Sequence, residues 1–312
     1  MVSPSARWLA HRVAHTLVVV WGAVTLTFIG LQLIPGDPAR AIAGGVQATA
    51  SPAVLDLIRQ QYGFDRPVLL QYLSYLARLA RGDLGTSYQL NQPVTHVLGH
   101  QLWPTIQLAL VSAVLGFTLA IFVATLTAGR PRPRSLARLL EFVSLSMPTF
   151  WIGILLLTFF SFKWQVFPVL GNRGVASLVL PSITLAIAIA GLLAQVTRDG
   201  IERALGQPFV LTTRARGAGE SRVRFRHALR HAALPLLTLS GWILGNLLGG
   251  IVVVETVFAR QGLGQVLVSA VGGRDLPVVT GVVVVTSITF SLIAIALEQI
   301  YRIADPRLKA SP

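Results

Sequence analysis

The sequence predicts an all-α integral membrane protein with six transmembrane helices. The first observation is composition: 53% of the 312 residues are hydrophobic and only 12% are charged, against about 25% charged in an average soluble domain. The second is a mean hydropathy of +0.67. The third is a set of six apolar runs, each near the ~20 residues needed to cross a bilayer. They lie at Val13–Ile34, Thr105–Ala128, Phe142–Phe160, Leu178–Val196, Leu234–Val254 and Val278–Leu297. The apolar core of the first is too long for a signal peptide and no small-residue cleavage site follows it, so it reads as a retained helix.

Charge sets the expected topology. With the N-terminus inside, 17 of the 26 Lys and Arg fall on the inner side, and inner loops are the ones enriched in basic residues. Both termini and the basic stretch at 198–231 are therefore expected in the cytoplasm. The formal charge of +14 clusters at the ends of apolar segments, as topology and anionic lipid require. No aromatic-interleaved basic patch accompanies it, so nucleic acid is not an expected partner. The chain has no cysteine, which excludes disulfides, thiolate chemistry and Cys-ligated metals. The expected division is residues 1–34 as cytoplasmic N-terminus and first span, 35–104 as an extracytoplasmic helical segment, 105–301 as a five-helix core containing the loop 198–231, and 302–312 as a cytoplasmic tail.

The segment 35–104 is too long for a plain loop. Ser51 can cap a helix whose first position is Pro52, where the missing N–H costs nothing. A second helix is expected from Pro67, carrying Leu70, Tyr72, Leu73, Tyr75, Leu76 and Leu79 and ending near Gly82. The pair suits either an interfacial layer on the membrane or a cap that meets an external partner. Trp8, Trp103, Trp151 and Trp164 fit an interfacial belt. The link Gly129–Arg138, with two prolines and four arginines, is expected to be a short stiff turn. Gly245, Gly249 and Gly250 form a small-residue pattern that permits close helix packing.

The most basic stretch is Gly206–Pro235. It holds Arg214, Arg216, Arg222, Arg224, Arg226 and Arg230 against one acid, Glu220. Gly217 and Gly219 break it, which predicts two short helices meeting at a glycine turn. Gly217 permits either a close backbone approach or a left-handed turn. Arg214 and Arg216 suit carboxylates on a partner or lipid phosphates.

Several chemistries are missing. None of the six runs contains Asp, Glu, Lys or Arg, whereas ion-coupled carriers usually hold an ionisable residue within the membrane. Glu255 and Glu298 flank spans and are expected at the interface. The chain's two lysines, Lys163 and Lys309, follow Phe162 and Leu308, so no phosphate-binding Gly-Lys pair exists. There is no HExxH and no intramembrane aspartate pair. The chain is expected not to be an enzyme, and to have no cofactor or metal site of its own.

A series of motifs in fixed order carries a resemblance. They are IPGDPA (34–39), YGFDRPVLLQYLSYL (62–76), RGDLGTS (81–87), SMPTFWIGILLL (146–157), LPSITLA (180–186), TRARGAG (213–219), RHALRHAALP (226–235), VVETVF (253–258), GLGQVL (262–267), RDLPVV (274–279) and ADPRLK (304–309). Over nearly the whole chain these closely resemble permease subunits of ATP-binding cassette importers in the dipeptide, oligopeptide and nickel family. The long outer segment with PGDP resembles the B-type member of the permease pair. The resemblance implies a type I importer permease fold in the bacterial inner membrane. It also implies partners: a second permease, two ATP-binding subunits that use the ATP, and an extracytoplasmic substrate-binding protein, with lipid around the spans. It further implies that the cytoplasmic loop carries a coupling helix, made here by Thr213, Arg214, Ala215, Arg216, Gly217 and Ala218. Leu211, Thr212 and Thr213 stand where the motif's Glu-Ala-Ala would be, as is usual in peptide-type members. Gln261 stands where the family often has proline. The implied cargo is a small peptide or, in the alternative, nickel or a metal chelate, and no substrate-contacting residue is identified. A stand-alone carrier or a scaffold without transport activity are the rival classes. Flux through the purified chain alone would mark the first, and uptake unaffected by deletion the second.

Overall fold

The computed structural model describes residues 4–44, 50–172 and 174–304. From residue 305 on, the expected tail lies outside the described residues. The fold is all-α, and the extended pairing among the described residues is a lone bridge between Thr86 and Pro93. In chain order the helices are α1 (Pro4–Leu33), α2 (Pro38–Ile42), α3 (Pro52–Tyr62), α4 (Val68–Ala80), α5 (Val94–Thr127), α6 (Pro131–Ser146) and α7 (Thr149–Leu156). They continue with α8 (Ala176–Leu205), α9 (Pro208–Ala215), α10 (Glu220–Arg222), α11 (Leu229–Val257), α12 (Leu263–Gly272) and α13 (Leu276–Ala304). A π-helical run, Leu157–Lys163, extends α7, and another, Val223–Ala228, joins α10 to α11.

Among the described residues five helices are long and apolar enough to span a membrane, and a sixth crossing exists if α6 and the α7 rod count as one. These two are bent by 105°, so the expected straight span Phe142–Phe160 is corrected. Pro148 holds Met147 extended, at φ −86° and ψ 130°, because its ring excludes the helical conformation at the preceding residue. The link Gly129–Arg138 is also corrected. Pro131 opens α6, since a proline in the first helical turn loses no hydrogen bond, and Arg132, Arg134 and Arg138 ride on that helix, with Arg130 extended at its N-cap.

The chain forms two compact units. The first is Met1–Trp103 with Gly262–Leu292, and the second is Pro104–Gln261 with Ile293–Pro312. In this grouping residues 262–292 go with the segment 35–104 and with α1. In the first unit Val24 of α1, Tyr75 of α4 and Val284 of α13 form a buried cluster backed by Leu76 and Leu79. The Tyr72 hydroxyl pairs with Thr25 Oγ1 at 2.7 Å. One side of α4 is thus built into the unit, while Leu70 and Leu73 stay exposed. Ser51 occupies the N-cap of α3, but its side chain makes no capping bond, and Pro67 is the N-cap of α4.

In the second unit α8 is the central rod, with more than half of its residues buried. Leu108, Leu193, Ile251 and Val254 lie in its main apolar core. α8 meets α11 so closely that a Cβ at Gly200 would lie 2.8 Å from Ala232 Cβ. Gly250 of α11 meets Leu185 in the same way, at 3.2 Å, whereas Gly249 faces open space. Packing explains Gly250 of the expected pattern and not Gly249.

The expectation that Glu255 sits at the interface is also corrected. Glu255 lies within α11, is fully buried, and accepts a 2.7 Å hydrogen bond from Thr105. Glu298 is half-buried within α13. Arg198 has no exposed surface, and both of its terminal nitrogens donate to the Glu141 carboxylate, with the NH1 bond at 2.8 Å. The same NH1 reaches Thr127 Oγ1 at 3.3 Å. One guanidinium therefore ties α8 to α6 and to the end of α5.

Removing one partner of this pair strands a buried charge, which typically costs about 3–5 kcal/mol. E141Q is expected to lower the melting temperature and the monodisperse fraction in detergent sharply. E141L/R198M, which removes both charges, is expected to recover most of the loss. A double variant as unstable as E141Q would show that the pair is not what holds the helices.

Candidate functional site

The basic stretch forms an elbow. α8 runs on to Leu205, so the first part of the expected loop 198–231 is helix. Pro208 then starts the eight-residue α9. After the turn at 216–219, α10, the π-helical run and α11 follow in unbroken helical conformation. One arm is short, as expected. The other is the root of a long helix that carries Pro235 in its interior, which corrects the picture of two short helices.

The turn is defined by its hydrogen bonds. The Ala218 amide donates to Thr213 O at 3.2 Å and the Gly217 amide to Arg214 O at 2.9 Å. That is the Schellman pattern, which needs a left-handed residue just past the C-cap. Gly217 supplies it with φ +79°, and a Cβ there would meet nothing within 4 Å. Of the two roles open to Gly217, the left-handed turn is the one observed, and no backbone approaches closely.

The six residues expected to act together are contiguous here but face differently. Thr213 turns its hydroxyl back onto Phe209 O at 2.8 Å. Arg214 is engaged within the elbow, where its Nε donates to Glu220 Oε1 at 2.8 Å and its NH2 to Oε2 at 3.3 Å. Arg224 approaches the same carboxylate at 3.7 Å. The bond from Arg214 holds the Glu220 carboxyl below its usual value, slight burial opposes this, and the charges of Arg214, Arg224 and Arg130 add to it. Burial pulls the Arg224 guanidinium below its ordinary value, with Arg130 adding to that effect. Ala215, Arg216 and Gly217 are exposed, Ala218 is half-buried, and Leu211 is 69% exposed.

The elbow is seated on small residues. Val210 is buried and Phe209 stacks on His231 at 4.8 Å. Beneath them Ala124, Ala128, Ile201, Ala204, Ala228 and Ala232 make a compact cluster. Glu202, one turn beyond Arg198 on α8, accepts from the Gly129 amide at 3.2 Å and pairs with Arg134 at 2.9 Å. Sequence reasoning missed Glu141, Arg198, Glu202 and the Glu220 brace. The available signal was that Glu141 is the lone acid in an arginine-rich stretch, and that Arg198 and Glu202 share one helix face.

The second unit also carries a groove of about 480 Å³ between α7, α8 and α11. Trp242, Phe150 and Leu185 give it apolar walls, and Asn246 and Thr149 supply polar groups. The open side of Gly249 lies along it.

Comparison with known proteins covers most of the chain. Residues 116–310 match the family described as binding-protein-dependent transport system inner membrane component. Residues 5–109 match the N-terminal part of binding-protein-dependent transport system membrane components. A glutathione transport system permease protein, GsiC, of Salmonella paratyphi A is 36% identical over 296 residues, covering 94% of this chain and 95% of the relative. A putative peptide transport system permease protein of Brucella abortus is 36% identical over 311 residues, covering 96% and 98%. Among solved structures, a chain of the MetNI methionine ABC transporter in an inward-facing conformation aligns with a TM-score of 0.56 at 20% identity. It covers 67% of this chain and 96% of that one, and at this identity the likeness is one of fold.

The Arg214–Glu220 brace makes a local prediction. Such exposed pairs are worth about 0.2–1 kcal/mol, so E220Q is expected to leave global melting unchanged while trypsin cleavage after Arg214 or Arg216 accelerates by up to about fivefold. The folded carboxyl titrates below its unfolded value, so the brace is present above the unfolded pKa. It is lost only as the pH falls through the lowered folded value. Cleavage at neutral pH should therefore show the full difference between parent and variant.

Proposed function

The chain belongs to the binding-protein-dependent transport system inner membrane component family, and from that membership we propose that its elbow at 208–224 seats the ATPase of the importer. It is a permease subunit of an ATP-binding cassette importer. The surface that meets the ATPase is the outer side of α9 and the turn, with Leu211, Arg216 and Gly217 outward and Thr213, Arg214 and Ala218 shaping the turn from within. The observation that carries this reading is the left-handed Gly217 turn, held out in open space on a firm base. An exposed element that rigid suits a lever more than a passive connection.

In this reading both termini and the elbow are cytoplasmic, and the complex also holds a second permease, two ATP-binding subunits and an extracytoplasmic binding protein. Nucleotide binding and hydrolysis shift the elbow between two arrangements. For that the ATPase must contact each state differently, because a partner with equal affinity for both moves neither. The buried Arg198–Glu141 tie and the close α8–α11 contact at Gly200 carry the displacement into the spans. This chain contributes no cofactor and no catalytic residue to the ATP reaction.

The proposed cargo is a small peptide, glutathione-like tripeptides included, since the relatives with the same span are named glutathione and peptide permeases. Those names favour peptide over the nickel or metal-chelate alternative. The groove with Trp242, Asn246 and Thr149 suits passing contact with peptide amides while offering no charged group to trap the solute.

The test is uptake in proteoliposomes that hold the whole importer. A Cβ in the left-handed conformation costs about 1–2 kcal/mol, so G217V is expected to insert and assemble normally yet lose roughly 5- to 30-fold in ATP-driven uptake. G217N, which tolerates that conformation, is expected to keep most of it. Unchanged uptake in G217V rejects the docking role, and flux through the chain without ATPases favours a stand-alone carrier.

A further inference from the structure

The first unit holds a cavity of about 260 Å³ where α1 ends, walled by α4, the α3–α4 turn and the start of α13. Its chemistry is one-sided. Among the described residues Arg66, Arg78 and Arg274 line it, and no carboxylate does. Arg274 is occupied, since its guanidinium donates to the Pro35 and Gly36 carbonyls. Nearby Arg59, outside the lining, is neutralised by Asp37 and Asp56, each at 2.6 Å. Among the described residues Arg66 and Arg78 have no such partner, and Arg78 lies over the Tyr75 ring at 5.9 Å. Tyr62, Phe64 and Tyr88 add a cluster of rings, with centroids 4.6 Å apart for Tyr62 and Tyr88 and 5.7 Å for Phe64 and Tyr88.

Such a site calls for an anion. Rings alone would also take a quaternary ammonium, but two unpaired guanidinia repel one. Size limits the ligand as well: drug-sized solutes take pockets of about 300–1,000 Å³, so this cavity fits a headgroup better than a whole peptide. A second feature adjoins it. Val68 on its rim and Leu69, Leu70 and Leu73 of α4 are each at least half exposed, as is Leu33 of α1. A cationic pocket continuous with an exposed apolar helix face matches an amphiphile with an anionic head.

We propose that this cavity is a binding site for an anionic phospholipid, with the phosphate held by Arg66 and Arg78 and the acyl chains laid along α4 and the end of α1. The site locks the outer helices to the bilayer, and it does not depend on the elbow. Burial pushes the Tyr88 phenol up to about 12, so that ring stays neutral toward the phosphate.

The test is native mass spectrometry of the full chain in detergent, titrated with phosphatidylglycerol or phosphatidylcholine. Phosphatidylglycerol is expected to bind at least tenfold more tightly. Each arginine near a membrane surface contributes about fivefold to anionic lipid affinity, so R66Q/R78Q should weaken phosphatidylglycerol roughly 25-fold, weaken the zwitterionic phosphatidylcholine less, and leave melting unchanged. R66K/R78K should retain most of the preference, and L69N/L73N should weaken both lipids. If the glutamine variant fails to fold, the lysine and asparagine variants still decide. Equal binding of the two lipids, or a preference untouched by the arginine changes, overturns the proposal. So does displacement of phosphatidylglycerol by millimolar inorganic phosphate, which would assign the site to the free ion, or by a tripeptide, which would assign it to the cargo's carboxylate.

Discussion

A guanidinium without exposed surface has to be answered by a carboxylate, and in this protein that requirement fixes how three helices end. Arg198 can be buried only because Glu141 meets both of its terminal nitrogens. Desolvating two charges is costly, and the attraction offsets that cost only when the geometry is tight. α6 therefore has to lie against α8 at one register, and Thr127 brings in the end of α5. The 105° bend at Met147–Pro148, set locally by the proline, is compatible with this register: α6 runs where Glu141 reaches Arg198, and the apolar α7 takes a different course.

The elbow inherits its stiffness from this foundation. Glu202 sits one turn beyond Arg198 and clamps the start of the α5–α6 connection through Gly129 and Arg134. The alanine cluster above it lets α8, α11 and α9 converge without bulky side chains between them. A short helix closed by a Schellman turn then projects from a base with little freedom of its own. In the proposed reading, this packed base is what passes a displacement of α9 into α8 and α11.

The fold was legible wherever hydropathy or punctuation dominates. Five spans, both outer helices and the glycine turn follow from run length, proline at first-turn positions and a glycine after a basic helix. The third span was not legible, because hydropathy is blind to direction: Phe142–Phe160 is apolar throughout, and only Pro148 hints that the chain turns inside it. Prolines at 131 and 133 looked like a stiff turn because proline opens helices as readily as it breaks loops, and the outcome depends on Glu141 finding Arg198. Glu255 was assigned to the interface for a related reason. Its burial depends on Thr105, which lies 150 residues earlier, and no local pattern records that pairing. At the elbow, Gly217 was readable as a left-handed turn, whereas the engagement of Arg214 by Glu220 was not, since spacing alone cannot say which of six arginines the single acid will take.

The distribution of paired and unpaired charge separates structural arginines from interactive ones. Arg198, Arg59, Arg274 and Arg214 each have a carboxylate or carbonyl partner within the chain, and each joins segments far apart in sequence or closes a turn. Arg216 at the elbow, and Arg66 and Arg78 at the outer pocket, have no such partner among the described residues. An exposed, hydrated charge with no partner contributes little to folding, so stability does not explain why arginine stands at these places. What the three share is exposed apolar side chains a few residues away in sequence, Leu211 for Arg216 and the α4 leucines for Arg66 and Arg78. A cation beside uncovered apolar surface is half of an interface. On the two proposed readings the missing half is a folded surface with carboxylates at the elbow, and a phosphate with hydrocarbon attached at the Arg66–Arg78 pocket.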